Sequence, residues 1–502
     1  MNQRRLVAGT LGAAIVAMLI VACGGGDESV TVSSGIVLQN ATVVNTRDGS
    51  LATGVSVITS GGKIQQVTTR PITLNATATA VDASGKFIVP GFNDMHTHAL
   101  ATPGDFPVLL ANGVTGVREA GGSPAFIAAA RQQNIDVAAG RADAPEILMV
   151  PGAIFAGQAP TEAAARQFVR DRKAEGADFI KLVAGSRDVV LAMIDEAKLQ
   201  ATHVAGHLIV PLSALDASNA GWKSYEHLGA GLTLLLDCSS DEATIRAEAI
   251  ANPPPPAPNV VNPLAYAGNY RAAYWRRLLN TYSEAKCSTL AQTLAKNGTW
   301  QPVTLIRLRT GHFGDDPAYT TDPNLRYVDK TRVALWRQTA QVFTSSITPE
   351  SRATAQETYA QLLKITKLMK QNGVPMLAGS DLGGGWVIPG FSLHQEFREL
   401  AAAGLSPLEI LQMTTLDAAQ FLGRDATMGT VEAGKNADLV LLDANPIANV
   451  QNLDKVSGVM LKGRYYSRAA LDKLLSDTAA KYEAQALQPL ETAIDPTHPP
   501  HD

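Results

Sequence analysis

Residues 89–100, VPGFNDMHTHAL, decide the fold: an apolar run closes on two histidines at i and i+2, His96 and His98. On a β-strand that spacing sends both imidazoles to one face. Paired imidazoles on a rigid strand are the start of a metal site, since neutral imidazole is a common metal ligand. The bland alternative is a chance H-x-H in a loop.

Working outward, the run KFIVPGFNDMHTH is followed by seven more short apolar segments that alternate with helical stretches: TGVRE (115–119), EILMV (146–150), DFIKLVA (178–184), HVAGHLI (203–209), KSYEHL (223–228), PVTLIRL (302–308) and VPMLAGSD (374–381). This alternation is the pattern of a parallel α/β fold, and eight strands close a (β/α)8 TIM barrel with its chemistry where strands end and loops begin. Ser406, Pro407 and Glu409 supply an N-cap, a first-turn proline and a capping-box acid for one helix. Both flanks of the barrel are β-rich, IVLQNATVVNTRDGSLATGVSVITSGGKIQQV before it and MGTVEAGKNADLVLLDA with VSGVMLKGRYYS after it. They predict one small β-sandwich built from both ends of the chain.

The 502 residues are 46% hydrophobic, enough for a large core beside a smaller domain, and the net charge of −4 gives no basic surface for nucleic acid. Residues 1–22 combine Arg4 and Arg5 with a short apolar core and read as a signal peptide rather than a spanning helix. The ending Ile20-Val21-Ala22-Cys23 resembles a bacterial lipobox, which implies lipidation of Cys23 and a periplasm-facing anchor in the cell envelope. The divisions expected are a lipoprotein signal peptide (1–22), a flexible tether (23–34), the first part of the sandwich (35–88), the barrel (89–424), the second part of the sandwich (425–470), and a C-terminal helix and tail (471–502). Within the barrel, about 239–297, which includes ANPPPPAPN, reads as an insertion over the mouth. Cys238 and Cys287, in an exported chain, form either a disulfide or two buried thiols.

Four histidines end proposed strands, namely His96, His98, His207 and His227, and in a barrel they converge on one mouth. Asp381 ends the last strand shortly before a run of glycines, as an exposed carboxylate or as a turn former. Lys181 interrupts an apolar strand, where an ammonium facing the interior is costly unless paired or modified; the alternative has it snorkel to water. Of the remaining residues, His203 suits a packed role, His312 a substrate contact after strand seven, and His394 the start of the last barrel helix. Arg118 binds a substrate carboxylate or pairs with an acid such as Glu119. His498 and His501 lie in a proline-rich tail.

The order of H-x-H, strand-four lysine, strand-five and strand-six histidines and strand-eight aspartate resembles the amidohydrolase superfamily, in the imidazolonepropionase-like branch that includes metal-dependent dipeptidases of the prolidase type. NGVTGVREAGG, GADFIKLVAG, PGFSLHQEF and GTVEAGKNADLVLLDANP extend the likeness over about residues 36–470. The resemblance implies two divalent ions, zinc by default: His96 and His98 on one, His207 and His227 on the other, carboxylated Lys181 bridging, Asp381 on the first ion, and Asp94 orienting an imidazole. It implies a hydroxide shared by the ions, Asp381 as proton carrier, and hydrolysis of an amide or peptide-like C–N bond in a dipeptide or N-acyl amino acid. A lactone, carbamate or phosphotriester hydrolase on the same site, or a non-catalytic surface-binding lipoprotein, is the alternative. VAGH departs from the family's commoner VAVHA at Gly206, which puts substrate assignment in doubt.

Overall fold

The computed structural model describes residues 28–154, 158–253 and 261–489. The signal peptide, Cys23, His498 and His501 lie outside them. Among the described residues no helix is long and apolar enough to cross a membrane.

Eight parallel strands form the barrel in chain order: Phe92–Thr97, Val114–Glu119, Glu146–Met149 continued by Pro151–Ile154, Phe179–Leu182, Val204–Gly206, Ser224–Tyr225, Gln301–Pro302 and Met376–Leu377. Single backbone contacts complete it: Tyr225 N–H donates to Trp300, and Met95 N–H and His98 N–H donate to Ala378 and Leu382 across the seam. Inside, Met95, Leu148, Trp300 and Leu377 pack with Phe421, which plugs the bottom, so the interior is solid and the open end is the C-terminal mouth. Truncating one such fully buried side chain to alanine costs about 2–5 kcal/mol.

Two expectations change here. The seventh strand is not PVTLIRL but Gln301–Pro302; Thr304, at φ +46°, turns the chain into a helix over Leu305–His312. The expected insertion also includes the sixth barrel helix, since Glu284–Asn297 leads directly into strand seven and packs between Ala214–Ala220 and Pro349–Gln371. The true excursion is the segment before it, with helices Glu242–Ala251 and Leu264–Asn280. Cys238 and Cys287 are bonded, tying the start of this excursion to the sixth helix. The capping box at Ser406 and Glu409 forms as expected.

The flanks meet in one sheet, in the order Arg464–Ser467, Val456–Leu461, Leu439–Leu442, Phe87–Pro90, Gly35–Val44, Leu51–Ser60, Lys63–Thr68, with Ala78–Asp82 also on Gly35–Val44. Phe87–Pro90 belongs wholly to this sheet, so the boundary falls at Gly91, just beyond the expected residue 88. Ala437 N–H donates to Gly62, folding the sheet over a core of Leu38, Val57, Ile64, Leu439 and Met460. The expected sandwich is therefore one eight-stranded sheet built from both flanks. The C-terminal helix starts at Arg468.

Candidate metal centre

The first strand places His96 in the barrel, fully buried, and His98 at the mouth. His96 Nδ1 lies 2.7 Å from Glu226 Oε2 and its Nε2 faces inward, 3.4 Å from both Lys181 Nζ and Asp381 Oδ1. His98 Nε2 is 3.3 Å from the same Asp381 oxygen. From strand six, His227 stands with its ring 4.5 Å from that of His96 and 5.2 Å from that of His207. Thr304 Oγ1 holds His227 Nδ1 at 2.6 Å, leaving Nε2 4.0 Å from Asp381 Oδ2. His96, His227 and Asp381 each offer a ligand atom within 4.8 Å of the others. His96, His98, His207, His227 and Asp381 meet because each stands at or just past the end of a strand of one barrel, and Lys181 joins them from within strand four.

The backbone is bent where these side chains emerge. His227, Thr304 and Asp381 have φ of +59°, +46° and +56°, a region costing non-glycine residues about 1–3 kcal/mol and recurrent at functional sites. Gly206 explains VAGH: its φ is +129° and a Cβ would stand 2.2 Å from the Leu182 carbonyl oxygen, so no side chain fits beside His207. Asp381 is anchored by its own N–H to the His96 carbonyl at 2.9 Å and by Arg307 Nε to Oδ2 at 3.2 Å.

Lys181 is 2% exposed on strand four, which excludes snorkelling. Burial brings its amine down to about 8. Burial, then the charge of Lys181, brings His96 down to about 4, and the same causes hold His207 well below the usual imidazole range. These rings are neutral near pH 7, the form that binds a cation. The donor set fits a divalent metal: neutral imidazole nitrogens and a carboxylate oxygen converge, and His207 Nδ1 is buried without a protein partner.

Other expectations divide. Asp94 does not orient an imidazole; it accepts from the backbone N–H of His96 and of Ser380, at 3.3 and 2.9 Å, and ties together the first and last strands near His96 and Asp381. The acid that touches an imidazole is Glu226, 2.7 Å from His96 Nδ1 and not singled out in KSYEHL. Arg118 is fully buried beneath the site and pairs with Glu226, not Glu119, at 3.2 Å. His203 stacks on Phe179 at the barrel bottom, as its early strand position suggests. His394 starts the last barrel helix but hydrogen-bonds the Asn112 carbonyl at 2.9 Å, away from the mouth. Arg307, which reaches Asp381 from the helix Leu305–His312, carries no sequence signal because it sits inside the apolar run LIRL.

Above His207, His227, Arg307 and Asp381 opens a cavity of about 420 Å³. Leu208, Ile209, Leu232, Leu264, Trp275 and Leu308 make its walls largely apolar, two of them from the excursion between strands six and seven. His312 borders it from the Leu305–His312 helix, with Nδ1 on the Leu308 carbonyl at 2.8 Å and its ring stacked on Trp275.

Residues 315–465 match the model of the amidohydrolase family. The chain is 41% identical over 63 residues to imidazolonepropionase of Shouchella clausii, 12% of this chain and 14% of that protein. It is 29% identical over 244 residues to adenine deaminase of Listeria monocytogenes serotype 4b, 42% of this chain and 41% of that one. The matches thus span less than half the length of these curated relatives. Among solved structures, bottromycin amidohydrolase shares the fold with a TM-score of 0.67 at 22% identity, over 90% of this chain and 93% of that one. A Xaa-Pro dipeptidase with bound methionine does so with a TM-score of 0.58 at 17% identity, over 86% of this chain and 100% of that one. The chain thus carries an amidohydrolase-family match over residues 315–465 and shares the fold of these solved structures along most of its length.

Proposed function

We propose that the protein is a metal-dependent hydrolase of small-molecule amides, with a dipeptide or N-acyl amino acid as substrate. The carrying observation is the convergence of buried His96, His227 and Asp381 at the floor of a cavity walled by apolar side chains. His96, His98 and Asp381 would hold one ion and His207 and His227 a second, zinc by ligand type, with carboxylated Lys181 between them. Ions held there supply Lewis acidity and activation of water.

The rest of the chemistry belongs to the chain. Arg307 holds Asp381 Oδ2 and turns Oδ1 toward the two first-strand imidazoles, where it can take a proton from the attacking water. The same carboxyl then protonates the departing nitrogen, without which an amine does not leave. The apolar walls take a hydrophobic side chain or acyl group and exclude bulk water from the site. On the sequence of residues 1–23 alone, we further propose export and lipid anchoring at Cys23, facing the periplasm.

The test is elemental analysis of protein purified without chelator, followed by a screen of dipeptides, N-acyl amino acids, lactones and aryl esters. Amide hydrolysis lost on chelation and regained with zinc supports the reading. Fully metallated protein that cleaves lactones or esters but no amide overturns it.

A further inference from the structure

Glu226 lies beneath the site with both oxygens committed. Oε1 accepts from Arg118 Nη1 and Nη2, each at 3.2 Å, and from Ser224 Oγ at 2.9 Å. Oε2 lies 2.7 Å from His96 Nδ1, its one hydrogen-bond partner among the described residues. An ionised carboxylate accepts and never donates, so the hydrogen in that contact sits on His96 Nδ1 and the Nε2 lone pair points toward Lys181 and Asp381. Arg118 is itself fixed, donating to the Met95 carbonyl at 3.1 Å and lying 4.5 Å over the Phe179 ring. Glu226, Arg118 and His96 are all 0% exposed, so water cannot substitute for a missing partner.

We propose that Glu226, locked in orientation by Arg118, is a positioning residue that sets the His96 tautomer and keeps its Nε2 free to bind a cation. The assignment rests on reading His96 as a metal ligand.

Glu226→Gln is isosteric and makes a sharp test. A guanidinium has no acceptor, so Arg118 demands the amide oxygen at the Oε1 position and leaves the NH2 facing His96 Nδ1. The ring must then accept at Nδ1 and carry its proton on Nε2, where a cation should bind. Zinc affinity, measured by chelator competition, should fall about 10- to 100-fold while the circular dichroism spectrum is unchanged. Adding Arg118→Met releases the amide to turn its oxygen to His96, and the double variant should regain most of the lost affinity. A merely structural pair predicts the opposite, a double variant worse than the single. In ring-15N-labelled wild type, with His96→Gln to assign the signal, the His96 proton should appear on Nδ1 in zinc-free protein.

Unchanged affinity in Glu226→Gln, no recovery in the double variant, or a proton on Nε2 in the wild type each overturns the proposal. The spectrum decides even if a variant fails to fold. Wild type that binds no divalent ion refutes His96 as a ligand, and the tautomer measurement still judges Glu226 separately.

Discussion

Replacing Asp381 with asparagine keeps the shape of the side chain and removes its ability to accept and return a proton. Arg307 Nε, 3.2 Å from Oδ2, holds the amide oxygen at that position and turns the NH2 to the Oδ1 side, 3.3 to 3.4 Å from the Nε2 atoms of His98 and His96. A donor then stands where an acceptor and ligand stood. General acid–base catalysis is worth about 10²–10⁴-fold, or roughly 2.7–5.4 kcal/mol at 1.36 kcal/mol per decade. Amide hydrolysis should lose at least that much in kcat/KM, because a metal ligand is weakened too. An activated aryl ester expels a phenolate that needs no proton, so it should lose at least tenfold less. The assay compares one amide with a matched aryl ester on wild type and Asp381→Asn, with metal content measured in parallel. Equal losses on both substrates in fully metallated protein would refute proton transfer by Asp381 and leave it a ligand only.

Lys181→Ala should abolish activity, with partial rescue by short carboxylic acids; full activity with the metals retained would contradict a bridging role. Cys238→Ser opens a link between residues 49 apart and should lower unfolding stability by about 2–4 kcal/mol, read as a drop in Tm that reductant reproduces in the wild type and not in the variant. Cys23→Ala should move the protein from the membrane to the soluble periplasmic fraction, and equal solubility of both forms would remove the lipid anchor.

The barrel and the histidines that gather at its mouth were legible in the chain because both are local. Period-two spacing puts His96 and His98 at the end of one strand, and apolar runs that stop at a polar residue mark where His207, His227 and Asp381 emerge. That both flanks build one β unit was legible for the same reason, as β-rich texture at each end, although the unit expected was a sandwich and the structure shows one eight-stranded sheet. What holds those ligands was not. Glu226 reaches His96 across 130 residues, Arg118 reaches Glu226 across 108, and Arg307 reaches Asp381 across 74. Glu226 sits among polar residues in KSYEHL, Arg118 beside Glu119 and Arg307 inside LIRL, and no local pattern says which partner each will meet. The same limit misassigned Asp94, whose neighbours in sequence include His96 but whose carboxylate is claimed by backbone N–H groups on two strands. It also hid the turn at Thr304, where LIRL has the composition of a strand and becomes a helix. The Cys238–Cys287 bond was an open choice until the excursion and the sixth helix were placed side by side. Local periodicity determined the strands and which residues stand at their ends; closure of the barrel decided which of those residues face one another, because that depends on contacts between distant strands.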